Sequence, residues 1–144
     1  MKKGKWAIFA VLTFLLGGCA DNYGACEKAA LNIGNGIAAG MKSVDALRVN
    51  GTITVQEETN VLGWLKFAND GNGAFASCAQ SAHTAGNAAG AYTACAQTFQ
   101  ATLTNPTELA LIHVSNPNAQ ADIQAIVTGV STGISALLTG LGGK

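Results

Sequence analysis

Four cysteines hold most of the reactive chemistry of this chain: Cys19, Cys26, Cys78 and Cys95. A thiol can be acylated, oxidised to a disulfide or bound to a metal, and spacing helps to separate these fates. There is no Cys-x-x-Cys, and His83 and His113 each stand alone, so the spacing points to no metal and no cofactor. Nor is there a Gly-x-Ser-x-Gly elbow, a phosphate-binding glycine loop or a His-Glu-x-x-His helix. Asp70-Gly71-Asn72-Gly73 has a faint look of a calcium loop, but the position that should close it with Glu is Ser81. Glu57 and Glu58 are adjacent, which on a helix aims them in different directions. They make no general acid/base pair, and the reading is of a protein that is not an enzyme.

The flanks of Cys19 decide its chemistry. Lys2, Lys3 and Lys5 form a basic start, and an apolar stretch runs from Trp6 to Leu16. Those eleven residues are too few to cross a bilayer core, which takes about 20 in a helix. The stretch therefore reads as a targeting signal. Leu16-Gly17-Gly18-Cys19 resembles the lipobox of bacterial lipoproteins, in which leucine and small residues precede the acylated cysteine. That resemblance covers about nineteen residues, and it implies cleavage before Cys19, three acyl chains and a permanent membrane anchor. Ala20 in place of Asp implies sorting to the outer membrane of the cell envelope.

Cleavage there leaves 126 residues, enough for one domain, with five Lys or Arg against eight Asp or Glu. Basic residues are sparse and never run together with aromatics, so the chain is no nucleic-acid binder. Charged residues make up 11% of the whole, where an average domain has roughly a quarter. Alanine and glycine fill the space instead, which points to helices packed closely through small side chains, or to a chain partly shielded by a partner or lipid.

An exported address also favours one disulfide and one leftover thiol among Cys26, Cys78 and Cys95. On one unbroken helix Cys78 and Cys95 would stand about 25 Å apart, beyond the reach of a disulfide. Gly86-Asn87-Ala88-Ala89-Gly90 breaks the chain between them and lets the two helices fold back. Cys78–Cys95 is the preferred pair, and Cys26 with either of them the alternative.

The elements that must position these residues are helical throughout. Ala30, Ile33, Ile37, Met41, Val44 and Leu47 make one apolar stripe on a helix over about 25–49. Gly36 and Gly40 sit one turn apart on it, a spacing that admits another helix closely. Asn50-Gly51 ends this helix, and Thr54 with Glu57 forms a capping box for the next. Helix two keeps its three-four rhythm over about 55–85 even though Asn69-Asp70-Gly71-Asn72-Gly73 has the composition of a loop. One long helix, kinked there, is the reading; a turn dividing it in two is the alternative. A third helix covers about 91–103. Asn105-Pro106 and Asn116-Pro117 each read as an N-cap followed by a proline that starts a helix, the first over 106–114 and the second over 117–141.

That last helix has no charge between Asp122 and Lys144. With Gly129-xxx-Gly133 it is read either as a buried bundle helix or as a helix that associates with membrane or with a second copy.

The sequence thus predicts an all-α fold, an antiparallel bundle of four to five helices after a lipoprotein signal peptide. Residues 1–18 form the signal, 19–24 a lipidated tether and 25–144 the bundle domain. The expected role is non-catalytic interaction or scaffolding in the cell envelope, with the membrane as partner through Cys19 and a protein partner beside it. The alternatives are a membrane-active or homo-oligomeric protein acting through the last helix, or a binding module for a small apolar ligand.

Overall fold

The computed structural model describes residues 22–86 and 89–142. The expected signal peptide and the candidate lipidation site Cys19 lie outside the described residues. Those described form five helices: α1 (Asn22–Val49), α2 (Val55–Thr84), α3 (Ala89–Leu103), α4 (Pro106–Ala110) and α5 (Pro117–Gly142). Four are long, and α4 is little more than one turn. Among the described residues there is no strand.

Helix α1 starts three residues before the expected helix start at residue 25, so part of the expected tether is helical. It ends at Val49, and Gly51, whose φ of +70° suits glycine, closes the turn that follows. At the head of α2 the Thr54 hydroxyl accepts the Glu57 N–H and the Glu57 carboxylate accepts the Thr54 N–H. The capping box is formed as the spacing predicts.

Helix α2 then runs unbroken through Asn69–Gly73, so the alternative with a turn there is wrong. Several loop-forming residues in that stretch have a packing task that outweighs their propensity. Asn72 is buried, and its Nδ2 donates to the Ala30 carbonyl at 2.9 Å. A Cβ on Gly71 would stand 3.1 Å from the Phe99 ring and from Thr102 Cγ2, so glycine is what lets α3 approach. Asp70 pairs with Lys66 one turn back at 2.9 Å. With these residues helical, no calcium-type loop forms.

Helices α1 and α5 both neighbour α2 or α3, and the contacts run α1–α2–α3–α5 in a closed ring. Cross-helix pairs set every direction. Gly40 faces Ile126 and Gly133 faces Ile33, so α5 descends as α1 climbs. Tyr23 meets His83 while Gly34 meets Asn72, and Gly71 meets Phe99 while Cys78 meets Cys95. The result is an up-down-up-down bundle.

One of its four columns is short. The 15 residues of α3 rise about 22 Å, whereas the 28 of α1 rise about 42 Å. Residues 104–116 supply the remainder. Asn105 caps α4 by accepting the Thr107 N–H, and Asn116 caps α5 by accepting those of Asn118 and Ala119. The helix expected over 106–114 stops at Ala110, because Ile112 and Val114 both turn into the core and a single helical face cannot present both. Gln120 accepts the Val114 N–H and Glu57 accepts the Ser115 N–H, which closes the top of the bundle.

Candidate functional site

The cysteine layer lies near the end of the bundle where α1 begins. Cys78 and Cys95 form a disulfide between α2 and α3, with their Cα atoms 5.8 Å apart. Gly86, at φ +66°, opens the turn that returns the chain for this pairing. Cys26 is free and fully buried, so the alternative pairings through it are not formed. Burial pushes its thiol up to about 11, because a thiolate there would lose its water. A thiol held neutral is a poor nucleophile and a poor metal ligand.

The other singled-out side chains are also occupied structurally. Glu57 is held down at about 2, first by the Thr54 and Ser115 backbone N–H groups that its two oxygens accept. The capping role is read from its spacing to Thr54; the reach to Ser115, 58 residues away, carries no local signal. His83 is exposed and stacks on Tyr23, with ring centroids 4.1 Å apart, and His113 is exposed. Among the described residues no three His, Cys, Asp or Glu side chains converge in a way that could hold a metal ion.

Of the two glycine pairs expected to admit other helices, one glycine of each faces the α1–α5 seam, against an isoleucine of the other helix. A Cβ on Gly40 would lie 2.7 Å from Ile126 Cγ2, and one on Gly133 would lie 3.0 Å from Ile33 Cγ1. The pattern is reciprocal: each helix offers an isoleucine and, seven residues on, a glycine that receives the other's. A Cβ added at Gly36 or Gly129 would meet nothing within 4 Å, so these two glycines serve no internal contact. Helix α5 is, by length and composition, apolar enough to cross a membrane. Its stripe Ile123, Val130, Ile134, Leu137 and Leu141 is buried against its neighbours.

Charge is unevenly spread over the surface. Residues 71–107 and 123–142 contain no Asp, Glu, Lys or Arg. These cover the lower half of α2, all of α3 and nearly all of α5, so in the half of the bundle nearer Asn22 the charges on the described helices are Glu27 and Lys28 of α1. The far end carries the Arg48–Glu58 pair at 3.8 Å and the exposed Val49 and Val55 on either side of the α1–α2 turn.

No protein-family model, curated protein or solved structure matches this chain.

Proposed function

We propose that this is a lipid-anchored protein of the cell envelope, more specifically of the outer membrane, with a non-catalytic interaction or scaffolding role. The observation that carries the non-catalytic part is the employment of its reactive groups. Two thiols are joined, the third is buried and neutral, and the most perturbed carboxylate caps one helix and ties down a loop. The anchor rests on Leu16-Gly17-Gly18-Cys19 and the basic, apolar stretch before it.

The bundle reading of α5 is favoured over a membrane-crossing one, because Gly133 receives Ile33 and the apolar stripe is spent on the core. An intact mass of the full-length product tests the anchor. Residues 19–144 carrying three acyl chains and the glyceryl link is the expected species, and an unlipidated mass removes the anchor. A photo-crosslinker at exposed Val55 or Leu31 tests the interaction role in the native membrane. A discrete adduct at either position is expected, and none at both would sink the scaffolding reading.

A further inference from the structure

We propose that the end of the bundle nearest Asn22 is a lipid-contact surface, seated on the bilayer that holds the anchor, with the charged end directed away. The inference rests on lipidation at Cys19 and goes beyond it, since an anchored domain can equally hang free on its tether.

Chain length sets the first constraint. Helix α1 starts at Asn22, three residues past Cys19, and three residues span at most about 11 Å. The bundle is about 42 Å tall along α1. An anchor at Cys19 therefore keeps the start of α1 within reach of the headgroups, and an upright bundle brings the C-terminal ends of α2 and α5 there with it and holds the α1–α2 turn far out in water.

Charge supplies the second. Burying an ionised side chain in a low-dielectric layer is costly. The near half of α2, the whole of α3 and residues 123–142 carry none, which leaves Glu27 and Lys28 of α1 as the charges of the near half on the described helices. Four of the exposed hydroxyls there are already satisfied within their own helices: Ser81 donates to the Ser77 carbonyl, Thr98 to Ala94, Ser135 to Ser131 and Thr139 to Ser135. Such a surface meets an interfacial layer at little desolvation cost. The Tyr23–His83 stack stands at the same end, an aromatic pair with polar tips of the kind that suits a boundary between apolar and wet.

The test uses the full-length lipidated protein in phosphatidylcholine vesicles containing a headgroup-nitroxide lipid. A fluorophore is placed at Ser81→Cys or Thr139→Cys near the anchor, and at Thr59→Cys near the far end. All three positions are exposed, and each parent hydroxyl bonds the carbonyl four residues back. Quenching several-fold stronger at 81 and 139 than at 59 is the expected result. Equal, weak quenching at all three, with the acyl chains present by mass, overturns the seating while leaving the anchor intact. A mass without acyl chains overturns the anchor and the seating with it. Amide exchange on the unsubstituted protein gives the same answer without a variant: slowing at 81–86 and 136–142 on vesicles supports the seating, and unchanged exchange there refutes it.

Discussion

Ile33 Cγ1 lies 3.0 Å from the point a Cβ on Gly133 would occupy, and Ile126 answers it on Gly40 one helix across. The α1–α5 seam is thus made by two isoleucines that each enter a space kept clear by a missing side chain. The glycines weaken their helices by about 1 kcal/mol each relative to alanine, and the close approach is what they provide in return.

Gly40→Ala is therefore expected to destabilise, because the branched Cγ2 of Ile126 cannot swing away without leaving its rotamer. The overpacking cost of about 1–3 kcal/mol exceeds the helix-propensity gain. Gly36→Ala and Gly129→Ala meet nothing within 4 Å and should stabilise by about 0.5–1 kcal/mol. Urea midpoints of the three variants check the opposite signs, and the Gly40→Ala penalty should shrink in an Ile126→Ala background.

Removing the disulfide with Cys78→Ala and Cys95→Ala should cost about 3 kcal/mol, the value for a loop of roughly this length. Cys26 should resist alkylation in the native protein, where its thiol sits near 11, and react once in urea. Mass after iodoacetamide, with and without denaturant, reads both states. Rapid native alkylation would show that the layer around Cys26 opens.

Thr54 and Glu57, three residues apart, announce the start of α2, and Asn105 and Asn116 announce α4 and α5, since capping chemistry is local and short. The disulfide is legible because the Gly86 turn leaves few geometries in which Cys78 could find a partner. The α2 interior is harder to read. Whether Asn69–Gly73 bends or continues depends on Ala30 and Phe99, which lie on other helices, and no local pattern contains them. The early end of α4 escapes the sequence for a similar reason, because Ile112 and Val114 fill the part of the column that the short α3 leaves. The two glycine pairs are visible in the sequence, but which glycine of each receives an isoleucine from the other helix is not.

Glu57 gives stability a defined pH dependence. Its folded-state pKa of about 2 lies below the ordinary 4.5, so its contribution is full above about pH 4.5 and fades as pH falls toward 2. Glu57→Gln retains a single acceptor oxygen for two N–H groups and loses one of those bonds. Across pH 2–6 the urea midpoint of the variant should change less than that of the parent, and the two curves should converge at the acid end. Parallel curves would mean that Thr54 and Ser115 do not hold the carboxylate in solution.

Asn72→Asp puts the buried position of α2 to a sharper test, because it changes one atom and leaves the shape. The Asn72 Nδ2 donates to the Ala30 carbonyl, and its Oδ1 is buried with no partner. An ionised carboxylate would present oxygen to that carbonyl in a buried site, which should destabilise by about 3 kcal/mol at pH 7. A protonated carboxyl can still donate to Ala30, so burial raises the pKa and the penalty falls as the pH is lowered toward 4. The variant should therefore be most nearly parental in acid, opposite in sign to the loss that Glu57 brings to the parent there. Urea midpoints of the variant relative to parent at pH 4 and pH 7 read the difference. A penalty independent of pH would mean that the side chain reaches water, and that the unbroken course of α2 has some other cause than the Asn72–Ala30 bond.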